Sequence, residues 1–309
     1  MTQGGNTPLT ASDWSALPSS YVTPATAPSL KEAREYCRRL ATSHYENFSV
    51  ATWFLPSQLR EHFYAVYAYC RISDDLGDEA GDPQKSLRLL NAWEQELDAC
   101  YEGRAKHPVF VALADTVRVC DIPKKPFADL LIAFRQDQTT TRYERFEDLL
   151  GYCRNSANPV GRLVLYVCGY SDEALQKLSD YTCVGLQLAN FWQDVTVDWE
   201  KGRLYIPLED MERFGVTEQQ IAERRFSPEF RELMKYEVGR ARDLFNMGLP
   251  LANLVDEKLG TDIELFTRGG QEILNAIERQ DFNVLKSRPS ISKSRKVALV
   301  LGAALRRVF

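Results

Sequence analysis

The chain of 309 residues is long enough for one large domain or two small ones with a substantial buried core. Its 44 % hydrophobic and 26 % charged residues are ordinary for a globular protein, and the net charge of −5 gives no indication of nucleic-acid binding. The seven cysteines form no CxxC pair. This pattern is typical of reduced thiols in a cytoplasmic protein, and it argues against a disulfide framework or a zinc site.

The N-terminal residues 1–29 are predicted to be a flexible lead-in. Residues 1–28 contain four prolines and no Lys or Arg, and they lack the basic start and apolar run of a signal peptide. The sequence "SLKE" (29–32) has the Ser-x-x-Glu form of a capping box. We therefore expect the first helix to begin there.

Helical patterns dominate the rest of the chain. Strand signals are weak, because no Asn-Gly or Asp-Gly pair lies between alternating apolar runs. No repeat of fixed period and no internal linker is evident, so we predict one all-α domain over residues 30–309. Apolar residues recur at spacings of three and four in six predicted helices: residues 57–75, 84–101, 126–138, 171–200, 227–254 and 261–280.

Two of these helices carry a polar stripe among apolar residues. At 100° per residue, the first stripe covers an arc of about 60° and the second an arc of about 80°. The first acidic stripe comprises Tyr67, Arg71, Asp74 and Asp78, with Asp75 to one side. The second acidic stripe comprises Gln187, Asn190, Asp194 and Asp198.

Carboxylates at positions i and i+4 in apolar surroundings point to a bound cation. Hard oxygen ligands suit Mg²⁺, or Mn²⁺ in its place, and such an ion bridges carboxylates to substrate phosphates. Arg71, Arg203 and the basic C-terminal end could hold the remaining phosphate charge. One hypothesis is therefore ionisation of a prenyl diphosphate. The alternatives from spacing alone are a solvated acidic helix face and a polar seam between packed helices.

The C-terminal end is strongly basic. After Asp281 the chain has no acidic residue and seven basic ones. Such an end can be a solvated tail or an anion-binding segment. It can also attach the protein to anionic lipids at the inner face of the cytoplasmic membrane. The apolar stretch 297–305 is about half of the roughly 20 residues that a transmembrane helix needs.

Several motifs together resemble the squalene and phytoene synthase family across residues 35–300. The combined match is specific, although one motif alone would not be. The motifs are "NFSVATWFLP" (47–56), "YAYCRISDDLGD" (67–78), "YCRNSANPVGRL" (152–163), "LQLANFWQDVTVDWEKGRLYIP" (186–207) and "RPSISKSRK" (288–296).

The resemblance implies an all-α isoprenoid-synthase-type bundle around a central apolar cavity, with both acidic stripes at its mouth. The metal ligands that it implies are Asp74, Asp75, Asp78, Asn190, Asp194 and Asp198. The catalytic residues that it implies are Tyr67, Arg71, Asp74, Asp78, Asp194 and Asp198. The substrate-binding residues that we expect are Asn47, Phe48, Asp137, Tyr152, Asn155, Gln187, Asn190, Arg203, Arg288, Lys293 and Lys296.

The sequence departs from the family pattern at several positions. Gln193 stands where Arg is usual, Val197 where an acid is usual, Asn47 where Ser is common, and Gly270 where some relatives carry Tyr. The second acidic stripe is therefore expected to make fewer phosphate and metal contacts than in a phytoene synthase.

The quoted strings look most like bacterial hydroxysqualene synthases of the hopanoid route. That resemblance implies presqualene diphosphate as substrate, hydroxysqualene as product and no need for NADPH, and no Gly-rich dinucleotide motif is present. The nearest alternative is head-to-head condensation of two prenyl diphosphates. A non-catalytic helical assembly factor is less compatible with intact acidic stripes, and the second motif of terpene cyclases is not found at 190–198.

Overall fold

The computed structural model describes residues 9–10, 12–43 and 57–292, and these residues are helical or irregular, with no strand among them. The predicted all-α fold is confirmed. The described residues fall into two compact groups of helices, which we call the N-terminal unit, ending at Thr139, and the C-terminal unit, beginning at Thr140. A single domain over residues 30–309 stays a prediction.

The N-terminal unit contains five α-helices and two short 3₁₀ helices within its described residues. Several helices begin with a local signal. Asp82, for example, accepts a hydrogen bond from the Lys85 amide at 2.9 Å, and Pro83 occupies the first helical position. The α-helices are α1 (Leu30–Ser43), α2 (Arg60–Asp78), α3 (Pro83–Tyr101), α4 (Pro108–Cys120) and α5 (Lys125–Gln136), and the 3₁₀ helices are Ser19–Tyr21 and Ser57–Leu59.

A buried aromatic cluster fixes the rotation of α2. The Tyr69 ring packs 5.0 Å from the Phe127 ring, and its hydroxyl donates to the Phe127 carbonyl at 2.8 Å. Trp93 Nε1 donates to Ser73 Oγ at 2.9 Å. Because Tyr69 and Ser73 lie one turn apart on the core face, the first acidic stripe lies on the opposite face of α2.

Part of the segment that we predicted to be a flexible lead-in packs against this unit. Leu17 and Tyr21 are buried, and the Arg88 guanidinium donates to Asp13 Oδ1 at 2.5 Å. The difference has a long-range cause. The partner of Asp13 lies on α3, 75 residues along the chain, so no local pattern in residues 1–29 announces the contact.

The C-terminal unit is built around α8, which packs against α7, α12 and α13. The unit's described helices are α6 (Phe146–Ser156), α7 (Asn158–Val167), α8 (Glu173–Gln193), α9 (Val195–Glu200), α10 (Leu208–Phe214), α11 (Glu218–Ala222), α12 (Pro228–Gly248), a 3₁₀ helix (Leu249–Asn253) and α13 (Glu257–Arg279).

Close contacts hold α8 in place. Trp192 is fully buried, and its Nε1 donates to the Glu237 carbonyl on α12 at 3.1 Å. The Phe245 ring fills the space beside Gly270, where a Cβ atom would overlap the ring and lie 2.9 Å from Leu186 Cδ2. No side chain fits at position 270 with Phe245 present, which accounts for the departure from Tyr at this position.

Several predicted helix boundaries differ from the structure. The helix predicted over 171–200 is interrupted at Asp194, whose backbone angles (φ −106°, ψ 16°) lie outside the α-helical range. The helix predicted over 227–254 ends at Gly248 and continues as a 3₁₀ helix. The helices α4 and α7 were not predicted. Each has a proline in its first turn, and a proline in a sequence indicates a helix break as readily as a helix start.

Candidate active site

The first acidic stripe lies on a solvent-facing side of α2. Asp74 has 52 % of its side chain exposed, and Asp78, one turn later, is exposed as well. Tyr67 is half-buried, and burial raises the pKa of its hydroxyl. The two carboxylates lie on one solvent-exposed face of α2, with Arg71 Nη1 3.9 Å from Asp74 Oδ2.

Asp75 has a different environment from its neighbour Asp74. Its side chain is only 8 % exposed, and Arg71 donates to both of its carboxylate oxygens, at 2.5 and 3.1 Å. The Tyr21 hydroxyl donates to Asp75 Oδ2 at 2.5 Å, and burial and the Asp75 charge together raise the Tyr21 pKa. In this structure Arg71 and Asp75 are partners, and their expected roles toward diphosphate and metal stay predictions.

The second acidic stripe continues across the interruption between α8 and α9. The Asp194 N–H donates to the Asn190 carbonyl at 2.9 Å, and the Asp198 N–H donates to the Asp194 carbonyl at 2.8 Å. This i to i−4 pattern preserves the helical spacing, so Asn190, Asp194 and Asp198 stay along one side. The side chain of Asp194 is 19 % exposed, and Asp198 is half-buried.

Asp198 is a poorly solvated carboxyl group beside another carboxylate. Burial and the charge of Asp194 raise its pKa to about 7, and Lys201, Arg203 and Arg288 partly offset that rise. A left-handed turn at Gly202 (φ 77°) ends α9, and the Arg203 N–H then donates to the Asp198 carbonyl at 2.8 Å. The turn thus places Arg203, which is cationic, beside the second acidic stripe.

Arg288 joins the second acidic stripe from the C-terminal segment. Its guanidinium contacts both carboxylate oxygens of Asp194, with Nη2 3.0 Å from Oδ2. This charge-assisted contact raises the Arg288 pKa. Arg288 Nη2 also donates to Gln193 Oε1 at 3.2 Å.

A cluster of buried aromatic rings lies next to the second acidic stripe. Phe191 and Tyr205 stack with ring centroids 3.8 Å apart, and Tyr143 and Tyr152 complete the cluster at 5.9 and 6.0 Å from Tyr205. The Leu204 N–H donates to the Thr141 carbonyl at 2.9 Å, which aligns the two chain segments carrying Tyr205 and Tyr143. The cluster provides an apolar, π-rich wall beside Asn190.

The remaining predicted residues are spread over the two units. Asp137 caps the C-terminus of α5 in the N-terminal unit, while Asn155 and Gln187 are half-buried in the C-terminal unit. The structure brings together Arg71, Asp74 and Asp75 in one unit and Asp194, Asp198, Arg203 and Arg288 in the other. Four predicted residues, Asn47, Phe48, Lys293 and Lys296, lie outside the described residues.

Sequence reasoning did not predict the contacts of Tyr21 and Gln193 or the burial of Asn158. Tyr21 donates to Asp75, which is 54 residues away along the chain, and Gln193 donates to Pro289, which is 96 residues away. Asn158 is buried, and its Oδ1 has no hydrogen-bond partner within the described residues. It stands where the family motif has Gly, and that departure could have identified it.

The donor atoms fit a hard divalent cation by their chemistry. Asp194 and Asp198 offer carboxylate oxygens, and Asn190 offers an amide oxygen. Burial and the charge of Asp194 raise the pKa of Asp198, and a cation would offset that charge. Over residues 9–10, 12–43 and 57–292, no group of three or more His, Cys, Asp or Glu side chains is arranged to hold a metal ion. By donor type the carboxylates of each stripe suit such an ion, and its remaining ligands would have to come from other groups.

None of the helices in the described part of the chain is long and apolar enough to cross a membrane.

Comparison with known proteins gives a consistent result. A family profile described as squalene/phytoene synthase matches residues 41–295. A 15-cis-phytoene synthase from Synechocystis sp. is 31 % identical over 293 residues, covering 90 % of this chain and 86 % of the relative.

Solved structures agree in fold. The crystal structure of squalene synthase HpnC from Alicyclobacillus acidocaldarius is 47 % identical, with a TM-score of 0.79 over 82 % of this chain and 96 % of that one. A dehydrosqualene synthase in complex with ligand is 26 % identical, with a TM-score of 0.81 over 91 % of this chain and 98 % of that one.

Proposed function

Because the chain belongs to the squalene/phytoene synthase family, whose members process prenyl diphosphates, we propose that it converts presqualene diphosphate to hydroxysqualene and diphosphate. The observation that carries the proposal is the composition of the second acidic stripe. Gln193 and Val197 replace an arginine and an acid there, which suits a substrate with one diphosphate better than a pair of substrates. The 47 % identity to squalene synthase HpnC supports the same branch.

The first step is cleavage of the carbon–oxygen bond, with the electron pair leaving on diphosphate. Mg²⁺, or Mn²⁺ in its place, would supply charge neutralisation of the leaving group. Asp74 and Asp78 on α2 would hold one such ion, and Asn190, Asp194 and Asp198, which follow one another along α8 and α9, would hold another. Arg203 and Arg288 add positive charge beside the second set, and they favour retention of the departing diphosphate.

The second step is capture of the rearranged cation by water. A new carbon–oxygen bond forms from a water lone pair, and the proton passes to diphosphate or solvent, so no reductant is consumed. The aromatic cluster of Tyr143, Tyr152, Phe191 and Tyr205 supports this step, because ring faces stabilise a cation without reacting with it.

Amide side chains are the best candidates to hold the water. Gln187 and Asn155, which are half-buried, can each donate and accept. Asn158 adds a buried Oδ1 with no partner within the described residues, and a buried unsatisfied oxygen is a usual site of ordered water. The candidate Asn47 lies outside the described residues.

The proposal is tested with purified protein, Mg²⁺ and presqualene diphosphate in ¹⁸O-labelled water without NADPH. We expect hydroxysqualene carrying the label, identified by mass spectrometry. An unlabelled alcohol, or squalene formed only when NADPH is added, would reject the proposal.

Head-to-head condensation is the second candidate function. The 31 % identity to a 15-cis-phytoene synthase favours it. Incubation with farnesyl or geranylgeranyl diphosphate alone distinguishes the two candidates. Efficient formation of a coupled product without added presqualene diphosphate would establish condensation and exclude the first proposal.

A peripheral contact with anionic lipid at the inner face of the cytoplasmic membrane is part of the proposal. The acid-free, basic composition of residues 282–309 and an apolar product support it. Sedimentation with anionic liposomes should decrease as salt rises. Absence of binding at low salt would leave the basic end a role toward diphosphate or solvent only.

A further inference from the structure

Gln193 connects the C-terminal segment to the second acidic stripe. Its side chain is almost fully buried at the end of α8, with 4 % of the residue exposed. Gln193 Nε2 donates to the Pro289 carbonyl at 2.6 Å in a buried hydrogen bond, and Gln193 Oε1 accepts from Arg288 Nη2 at 3.2 Å. One amide therefore binds two consecutive residues that are 95 and 96 positions away along the chain.

The contact requires both halves of the amide. A carboxylate could accept from Arg288 but would present an oxygen to the Pro289 carbonyl. The arginine usual at this position in the family would donate to Pro289 but would place a second positive charge against Arg288. The Gln at position 193 is therefore the residue type that fits these two partners.

The contact also delivers a guanidinium to Asp194. Arg288 reaches the second acidic stripe from a segment with no regular secondary structure, since residues 288–292 are irregular. Half of the Arg288 side chain is exposed, so packing alone does not hold it there. Contacts that fix this short stretch include the ion pair of Arg288 with Asp194, the Gln193 amide, which binds both residues, and the burial of Pro289.

We propose that Gln193 is a positioning residue that fastens residues 288–289 to α8 and so holds the Arg288 guanidinium at the second acidic stripe. Its effect on diphosphate binding therefore passes through Arg288. The inference does not depend on which prenyl diphosphate is the substrate.

The test compares Gln193→Met with a matched control. Methionine keeps the length of the side chain and removes both hydrogen-bonding groups. Gln176→Met is the control, because Gln176 is also on α8 and is 6 % exposed, but it donates to the Ser171 carbonyl, at 3.5 Å. Hydrogen exchange of peptides covering residues 284–292 in chelator reports the fastening, and calorimetric titration of inorganic diphosphate with Mg²⁺ reports the effect on binding.

Gln193→Met should speed exchange over residues 284–292 and weaken diphosphate binding about tenfold, the scale of a lost charge-assisted contact. Gln176→Met should change neither. In an Arg288→Ala background, Gln193→Met should weaken binding less than twofold further, because the residue through which it acts is gone.

Three results would overturn the inference: unchanged exchange in Gln193→Met, equal effects of the two methionine variants, or a full tenfold weakening in the Arg288→Ala background. If Gln193→Met does not fold, Gln193→Glu provides the exchange measurement. It retains the acceptor for Arg288 but cannot donate to Pro289, so exchange over residues 284–292 should still rise, and unchanged exchange there would reject the proposal.

Discussion

The two acidic stripes share a sequence spacing and differ in their surroundings. Asp74 and Asp78 lie on an uninterrupted helix with their side chains in solvent. Asp194 and Asp198 flank a helix interruption, and there burial and mutual repulsion raise the pKa of Asp198. The cationic partners differ too, since Arg71 comes from the same helix as its partner Asp75, and Arg288 comes from a distant segment.

The difference shows that ligand spacing and ligand environment are set separately. A four-residue spacing follows from the helix alone, whereas desolvation depends on which segments pack over the carboxylates. The second stripe is held at an electrostatic cost in the free protein, and a cation would relieve that cost. The first stripe is well hydrated and gains less from a cation.

Removing a carboxylate from either stripe should have the largest effect. Asp78→Ala and Asp194→Ala should each lower turnover of presqualene diphosphate by about a hundredfold or more, because each removes charge that stabilises the leaving group and its metal ion. Glu79→Ala, an exposed neighbour of Asp78, is the control and should keep full turnover. Normal turnover in Asp78→Ala would show that the first stripe is only a solvated helix face.

Stability in chelator should separate the two stripes. At pH 8, Asp198→Asn should raise the free energy of unfolding by about 1–2 kcal/mol, because it removes a desolvated charge beside Asp194. Asp78→Asn should stay within about 0.5 kcal/mol of the wild type, as exposed substitutions usually do. Urea unfolding of both variants measures this. Equal effects would mean that the environments of the two stripes are alike.

Glu237 provides a third acidic environment, in which a buried carboxyl group shares Arg240 with Asp210. Burial raises its pKa to about 8, and Arg240 partly offsets the rise. Between pH 5 and pH 8 the folded state therefore holds a proton that the unfolded state releases. The stability of the wild type should fall with rising pH by at most about 1.4 kcal/mol per pH unit from this group.

Comparison with Glu237→Gln isolates that contribution. The free energy of unfolding of the variant relative to the wild type should increase from pH 5 to pH 8. A constant difference across this range would show that Arg240 keeps Glu237 ionised in the folded protein.

The smallest expected effect concerns the support of the first stripe. Tyr21→Phe removes the hydrogen bond to Asp75 and should lower the free energy of unfolding by about 1 kcal/mol, because Arg71 still pairs with the carboxylate. Turnover should change less than twofold. Unaltered stability would indicate that the contact from the N-terminal segment contributes nothing to holding Asp75.

Much of the fold was predictable because helical periodicity is a local property. The stretches 84–101 and 126–138 agree with α3 and α5 to within two residues. The interruption at Asp194 was not predictable, since the residues next to it include no Gly or Pro. The boundary between α6 and α7 was not predicted, because the residues that precede Pro159 have the sequence pattern of a loop.

The candidate site was predictable as a set of residue types and less so as a set of contacts. Spacing placed Asn190, Asp194 and Asp198 on one side, and the structure agrees. Spacing did not indicate that Asp75 accepts hydrogen bonds from Tyr21 and Arg71, or that Gln193 donates to the Pro289 carbonyl. Such contacts join positions 54 and 96 residues apart, and a single sequence carries no record of them.

The Phe245 ring between Gly185 and Gly270 has a consequence for exchanging parts among relatives. Its atoms lie 3.1 Å from where a Cβ of Gly185 would be. The Phe245 ring therefore occupies the space that a side chain would need at either glycine. Introducing the tyrosine that some relatives carry at position 270 would force α8 away from α13 unless residue 245 became smaller at the same time. Positions 245 and 270 therefore constitute one exchangeable unit, and chimaeras between branches of the family should transfer them together.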